Sequence, residues 1–318
     1  MRALGLYSGG LDSVLAIKIM MSHGIDVIPV AFFTPFFSPD TKYGEKVLGR
    51  AIEQIDITEE FIDILLSPRY GYGKNMNPCI DCHSLMIKKA KELLPLYGAS
   101  FIITGEVLGE RPMSQNKQAL EKVVRRASAE GLVVRPLSGA LLPGTIPEEK
   151  GWIKREWLYA ISGRKRDRQM ELAATFGIEE YKTPAGGCLL TDMNFSKRLR
   201  FLIGIHPRPA REELELLKVG RHFYLDGCWI IIGRNERENK ILRESNAWEY
   251  VFFTIDYPGP TGIIVKGSRI DQAVRILIRY SDAPKDRSTR VRVIENSGKS
   301  YILESLAIED EEIERIRL

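Results

Sequence analysis

Apolar and polar positions alternate along this chain in blocks that can be read as strands and helices. Residues 2–7 are mostly small and apolar, as in a buried strand that opens a parallel sheet, and residues 14–21 are an apolar run of helical length ending before Gly24. Residues 26–33 read as a second buried strand, 42–55 as a helix, and 57–65, with Phe61, Ile62 and Ile64, as a third strand. Residues 67–77 are rich in glycine and aromatic side chains and have no period, so they form a loop. Helical spacing returns over 83–94, and 101–105 is the next strand. The alternation predicts an α/β fold built on a doubly wound parallel sheet. Strand carboxyl ends face the ligand crevice in such sheets, so residues 105–116, beginning with Gly105, should line it.

A helix over 116–129, a strand over 132–136 and a loop over 141–151 continue the pattern, and 157–161 and 164–176 look helical, the latter stopped by Gly177. Residues 183–188 read as a tight loop and 194–203 as a short basic helix. Pro207 and Pro209 then disfavour helix, which places a domain boundary near Ile205. Domains of 1–205 and 206–318 follow, the second a smaller α+β module. Its expected helices are 211–218, 236–243 and 268–280, its strands 222–225, 228–233, 250–255 and 262–266, with a hairpin over 290–303.

Composition adds limits. At 318 residues, 44% hydrophobic and 28% charged, the chain has room for two domains and a substantial core. No apolar run approaches the length of a membrane span and no signal-peptide pattern is seen, so a cytoplasmic location without membrane partners is expected. The net charge of +4 permits nucleic-acid binding without requiring it. Basic residues cluster at 164–168, at 197–200 and at Arg208 and Arg211. Singly, each could be a solvated helix face; together, flanking one cysteine, they suggest a surface for a polyanion.

The first strand leads into Ser8-Gly9-Gly10-Leu11-Asp12-Ser13 and then directly into a helix. Glycines let backbone N–H groups approach oxygens closely, and a helix N-terminus favours negative charge, so the turn suits a phosphate. A plain strand-to-helix turn capped by Ser8 or Asp12 is the simpler alternative. The full string resembles the pyrophosphate-binding loop of the PP-loop ATP pyrophosphatases, whose domain is Rossmann-like. No lysine sits inside the turn, unlike the loops that hold β- and γ-phosphates, which points to transfer of AMP.

Four cysteines occur, Cys79, Cys82, Cys188 and Cys228, too few for a disulfide framework. Cys79-x-x-Cys82 precedes a helix and Cys188 follows two glycines, whereas Cys228 sits in an apolar strand and should be a small core residue. The first three could fill gaps, or hold zinc if His83 completes the set. They could also hold a [4Fe–4S] cluster with one open iron, or work without metal through a persulfide.

The phosphate loop, Asn77-Pro78-Cys79-Ile80-Asp81-Cys82 and a single distant Cys188 together resemble the PP-loop tRNA thiolation enzymes, over roughly residues 1–204. The resemblance implies ATP held by Ser8, Gly9, Gly10, Ser13 and Gly105, with Asp12 on Mg²⁺. It also implies sulfur transfer to tRNA by Cys79, Cys82 and Cys188, which would be the cluster's ligands as well. The sulfur would come from sulfide, a persulfide or a carrier protein, and a homodimer is one assembly open to the chain. Two features depart from that pattern: Ser8 is not preceded by the RNA-binding extension of the 4-thiouridine synthetases, and the β-barrel of the wobble-uridine enzymes is not evident. Ile232-Gly233-Arg234-Asn235-Glu236-Arg237-Glu238-Asn239 followed by Pro258-Gly259-Pro260 resembles the RNA-binding module of the NFACT family. That module would take the place of the extension; the simpler alternative is a Gly-Arg-Asn turn that caps a helix. Two other functions remain: a PP-loop amidase or ligase that adenylates a carboxylate, which leaves the cysteines without a role, and a non-catalytic subunit that binds nucleotide and RNA.

Overall fold

The computed structural model describes residues 1–181 and 188–318; the expected loop at 183–188 lies outside them except for Cys188. The chain forms two compact units, Met1–Asp192 and Met193–Leu318. The division falls one helix before the expected boundary at Ile205, because the basic helix Met193–Ile205 belongs to the second unit.

In the first unit the order is β1 (Arg2–Leu6), α1 (Leu11–Ser22), β2 (Asp26–Phe33), α2 (Thr41–Leu48), β3 (Glu53–Asp56), α3 (Thr58–Leu66), α4 (Cys79–Leu93), β4 (Phe101–Ile103), α5 (Lys117–Arg126), β5 (Val133–Val134), α6 (Ile146–Glu149) and α7 (Asp167–Thr175). The five strands lie in the order β3-β2-β1-β4-β5 and every pairing is parallel. Helix α1 packs against α2 and α7, and α4 against α3 and α5, the two helix groups of a doubly wound sheet. The strand order turns back between β1 and β4, and ligands of such sheets bind where the order reverses. That point is where the Ser8–Ser13 loop leaves β1 and Gly105 leaves β4. Helix α1 is buried almost all round, with Val14, Leu15, Ala16 and Ile17 at 0% exposure. It therefore serves as a core element as well as a loop support.

Three expectations are corrected. The third strand is not 57–65 but Glu53–Asp56, and residues 58–66 are helix α3. Its buried positions Thr58, Phe61, Ile62 and Leu65 follow the i, i+3, i+4, i+7 helical repeat. The strand escapes notice because it is short, polar and at the sheet edge, where only β2 pairs with it. The helix expected over 42–55 accordingly stops at Leu48, where Gly49 takes a left-handed φ of 66°. The helix expected over 157–161 is absent: Tyr159 and Ile161 donate backbone hydrogen bonds to Pro136 and Leu137, so this stretch is extended.

The second unit comprises α8 (Met193–Ile205), α9 (Arg211–Leu216), β6 (Arg221–Leu225), β7 (Cys228–Ile232), α10 (Glu236–Glu244), β8 (Tyr250–Thr254), β9 (Thr261–Lys266), α11 (Ile270–Arg279), β10 (Thr289–Glu295), β11 (Ser300–Ser305) and α12 (Asp310–Ile316). Its six strands form an antiparallel sheet in the order β11-β10-β8-β9-β7-β6. Helix α11 lays Ala273, Val274, Ile276, Leu277 and Ile278 into the core, which also contains the fully buried Cys228. Asp310, Glu311 and Glu312 form the first turn of α12, where negative side chains suit a helix N-terminus. Among the described residues, no helix is long and apolar enough to cross a membrane.

Gly105 lies against backbone, where a Cβ would sit 2.5 Å from the Ser13 nitrogen and 2.7 Å from the Asp12 carbonyl oxygen. Gly105→Ala is expected to cost about 1–3 kcal/mol in denaturant unfolding of the full chain, because a methyl has to push β4 away from α1. Gly144→Ala, which meets nothing within 4 Å, should change stability by no more than about 0.5 kcal/mol.

Candidate nucleotide and cysteine site

The loop after β1 is shaped by its own side chains. Gly9 adopts φ 82°, a conformation that favours glycine, and Gly10 is the N-cap of α1 without a side-chain cap. The buried Ser13 hydroxyl donates to the Gly10 carbonyl at 2.7 Å and accepts from the Ser8 amide at 3.2 Å, which closes the turn. Ser13 therefore ties the loop together. With no side chain capping it, the first turn of α1 keeps N–H groups for a ligand.

Asp12 faces a polar cluster assembled from distant sequence. Arg166 Nη2 is 3.6 Å from Asp12 Oδ2. Burial raises the Asp12 pKa, opposed by Arg166, by the nearby Gln169 amide and by Arg111. Glu110 is raised as well, first by burial and then by the charge of Asp12. Asp12 Oδ1, Arg166 Nε and both amide atoms of Gln169 are buried without a well-formed hydrogen bond. Buried polar atoms are nearly always paired, so this concentration of unmatched donors and acceptors marks a place for a polar ligand. Two carboxylates in mutual reach beside a phosphate loop are also the donor set Mg²⁺ uses with a nucleotide, since it takes one or two carboxylates and completes its shell with phosphate and water.

The cysteines come from two segments pinned to each other. Met76 donates its amide to the Leu190 carbonyl at 3.2 Å, and Asn75 Nδ2 donates to the Thr191 carbonyl at 2.7 Å. Cys79 and Cys82 lie in the first turn of α4, and Thr191 Oγ1 donates to the Cys188 carbonyl. The three thiols are within electrostatic reach of one another. Burial pushes all three up: Cys79 above the usual thiol range, Cys82 well above it, and Cys188 to about 11. Without a ligand they are therefore neutral thiols near pH 7. Among the described residues, no three His, Cys, Asp or Glu side chains converge closely enough to enclose a metal ion.

Arg111 links the two halves. It lowers the pKa of Asp12 on the nucleotide side and of Cys79 and Cys188 on the other. The residues expected from sequence thus divide into Ser8, Gly9, Gly10, Asp12, Ser13 and Gly105 around the loop and Cys79, Cys82 and Cys188 beside α4. Arg111, Glu110, Arg166 and Gln169 were not foreseen individually. Arg166 belongs to the basic cluster at 164–168, but it is largely buried against Asp12 and is not part of a solvated face.

Beneath α4 lies a buried ion network. Glu106, immediately after Gly105, accepts from Arg135 Nε at 2.9 Å and Thr104 Oγ1 at 3.1 Å, and its Oε1 is 3.0 Å from His83 Nδ1. Burial alone would raise the Glu106 pKa, but Arg135 and His83 outweigh it and hold it at about 2. Asp81, between the cysteines, is fully buried, takes the Tyr70 amide at 2.9 Å and sits 3.0 Å from Arg126 Nε. In the second unit, Asn235 caps α10 by accepting from the Glu238 amide, and Arg234 pairs with Glu238. Gly233 must be glycine, because a Cβ there would lie 2.1 Å from Asn239 Oδ1. The Gly-Arg-Asn string is thus a capping turn in its local structure.

A doubly wound parallel α/β domain with a glycine turn between its first strand and helix, followed by a separate antiparallel α+β module, is the class these features define. Residues 1–141 match the family model for thiamine biosynthesis protein (ThiI), and residues 220–317 match that for the NFACT protein RNA binding domain. The two matches fall one in each compact unit, 1–141 within Met1–Asp192 and 220–317 within Met193–Leu318. Among relatives, a probable tRNA sulfurtransferase of Thermococcus kodakarensis is 29% identical over 154 residues, covering 43% of this chain and 37% of the relative. A probable tRNA sulfurtransferase of Methanosarcina mazei is 31% identical over 116 residues, 33% of this chain and 28% of the relative. The chain thus spans about a third of the length of these relatives. A solved 4-thiouridine synthetase in complex with RNA and ATP aligns with a TM-score of 0.36 and 20% identity, over 67% of this chain and 53% of that one.

Because Glu106 is held at about 2 against an ordinary 4.5, its stabilising effect is complete above 4.5 and is lost as the pH falls from there toward 2. Glu106→Gln should flatten that part of the stability curve in urea titrations across this range. At neutral pH it should cost about 3–5 kcal/mol, since Arg135 is left buried without its counter-charge.

Proposed function

We propose that this chain is an ATP-dependent tRNA sulfurtransferase. The observation that supports it most is the shared reach of Arg111, whose charge acts on Asp12 in the Ser8–Ser13 loop and on two of the three thiols, Cys79 and Cys188. A uridine carbonyl oxygen of tRNA attacks the α-phosphorus of ATP; the bond to the β-phosphate oxygen breaks, and pyrophosphate leaves. The base now carries AMP on that oxygen and has given up its ring proton. A sulfur nucleophile then adds at the same carbon, AMP departs with the oxygen, and the ring nitrogen recovers a proton, giving thiouridine. Adenylation is needed because the carbonyl oxygen is otherwise a poor leaving group.

The Ser8–Ser13 loop and the α1 N-terminus hold the pyrophosphate portion, Asp12 with Glu110 suits Mg²⁺, and Arg166 and Arg111 offset charge that builds on the phosphates. Fixed charges in a site shielded from water supply most of this kind of acceleration. Cys79, Cys82 and Cys188 are the residues that would hold a [4Fe–4S] cluster, which when bound supplies an open iron for sulfide. Three thiols from two segments pinned together match the number of cysteine ligands that leaves one iron open, although in this structure they are not drawn close enough to enclose a metal ion; the neutral thiols become charged on coordination. A zinc site would need His83 Nε2 as its fourth ligand, since Nδ1 is engaged by Glu106. The sulfur enters as sulfide, or as the outer sulfur of a persulfide on one cysteine charged by a carrier; in that case a second cysteine attacks the S–S bond to the base, releases thiouridine and forms a disulfide that an external thiol reduces. The second unit binds tRNA, and the enzyme works in the cytoplasm.

Pyrophosphate release should depend on both ATP and unmodified tRNA. Asp12→Asn or Ser13→Ala should lower it by roughly 100-fold or more. Release that ignores tRNA would instead indicate a ligase, and no release at all a binding subunit. Purified without oxygen, the full chain should be brown, hold about four irons and four sulfides, and lose both in Cys79→Ala, Cys82→Ala or Cys188→Ala. Colourless protein that thiolates tRNA would contradict the cluster and favour the persulfide.

A further inference from the structure

The loop between α3 and α4 carries Arg69, Tyr70, Tyr72 and Lys74 and no acidic residue over positions 67–77. Tyr72 is anchored, its hydroxyl donating to the Leu65 carbonyl. Tyr70 is different: it is 38% exposed, and among the described residues its hydroxyl has no partner. Three cations surround its ring, Lys122 Nζ at 5.8 Å, Arg126 Cζ at 5.9 Å and Arg69 Cζ at 6.0 Å from the centroid. Arg126 is balanced by Asp81. Among the described residues neither Arg69 nor Lys122 has a carboxylate within ion-pair distance, and Arg125 adds a further exposed charge to the same helix. Glu121, the one acid in α5, lines a separate cleft with Val133 and Arg135.

The position of this ring is fixed relative to the cysteines. The Tyr70 amide and Arg126 are both held by Asp81, a buried residue inside the Cys79–Cys82 turn. An exposed aromatic face ringed by three cations, of which Arg69 and Lys122 are not neutralised, suits an unpaired nucleotide, with the base stacked on the ring and flanking phosphates met by the cations. A protein partner would need apolar area, and this patch has only the two tyrosines. Duplex RNA buries its base faces and offers nothing to stack.

We propose that Tyr70, with Arg69, Lys122 and Arg126, is a stacking platform for an unpaired base of the RNA substrate beside the cysteine site. This rests on the reading that the substrate is RNA. The test uses the full chain with a short single-stranded oligouridylate, a duplex RNA and unmodified tRNA. Tyr70→Ala should weaken binding of the oligouridylate roughly tenfold, Tyr70→Phe should stay near the parent, and duplex binding should not change. Lys122→Gln, on an exposed helix face where folding is not at risk, should make the salt dependence of oligouridylate binding shallower by about one unit of slope. Irradiation of an oligonucleotide carrying 5-iodouridine should cross-link it to Tyr70.

Equal affinity of Tyr70→Ala and parent for oligouridylate, an unchanged salt slope in Lys122→Gln, or cross-links confined to residues 206–318 would overturn the platform while leaving tRNA as substrate. A parent chain that binds neither oligouridylate nor tRNA would overturn the RNA reading and the platform with it.

Discussion

With β1 hydrogen-bonded in parallel to β2 on one side and to β4 on the other, every strand of the first unit ends at the same rim. The loops that follow β1 and β4 are therefore forced together at the reversal of strand order. The contact is so close that the chain leaving β4 must carry Gly105 there, whose missing side chain makes room for the first turn of α1. Loop closure by Ser13, the position of Asp12 and the placement of Glu106 directly beyond Gly105 all depend on that approach.

Buried charge is handled in two ways on this rim. Glu106 and Asp81 are each given an arginine, Arg135 and Arg126, and further hydrogen bonds, so both belong to a fixed scaffold beneath and within the cysteine turn. Asp12 receives only a long contact to Arg166, and four polar atoms unmatched among the described residues, Asp12 Oδ1, Arg166 Nε and both amide atoms of Gln169, gather around it, against one each on Asp81 (Oδ1) and Arg135 (Nη2) in the scaffold. A folded chain tolerates such a deficit where a ligand makes it good. The neighbouring thiols are kept uncharged by burial, so the charge of the site comes from the Asp12, Glu110, Arg111 and Arg166 group.

Much of this could be read from local sequence because the governing interactions are local. The Ser8–Ser13 turn, the apolar helix after it and the Cys79–Cys82 turn are contiguous strings whose geometry follows from glycine, capping and period. The elements of the second unit were also legible, since its hairpins and amphipathic helices each show their own repeat. What could not be read depends on partners distant in the chain. Glu53–Asp56 is a strand only because β2 supplies its hydrogen bonds, and Arg166 looks like any surface cation until folding sets it against Asp12. Arg234 and Asn235 show the opposite case: a string noticed for its family resemblance also has an ordinary local task, capping α10 and pairing with Glu238.

The central claim is that one rim activates a tRNA uridine with ATP and then replaces its oxygen. The most direct measurement follows that oxygen. Transcribed tRNA labelled with oxygen-18 at its uridine carbonyls is incubated under anaerobic conditions with the full chain, ATP, Mg²⁺ and sulfide, and the AMP formed is analysed by mass spectrometry. AMP that carries one oxygen-18 for each thiouridine produced is the expected result. Thiouridine formed alongside unlabelled AMP would contradict adenylation of the base.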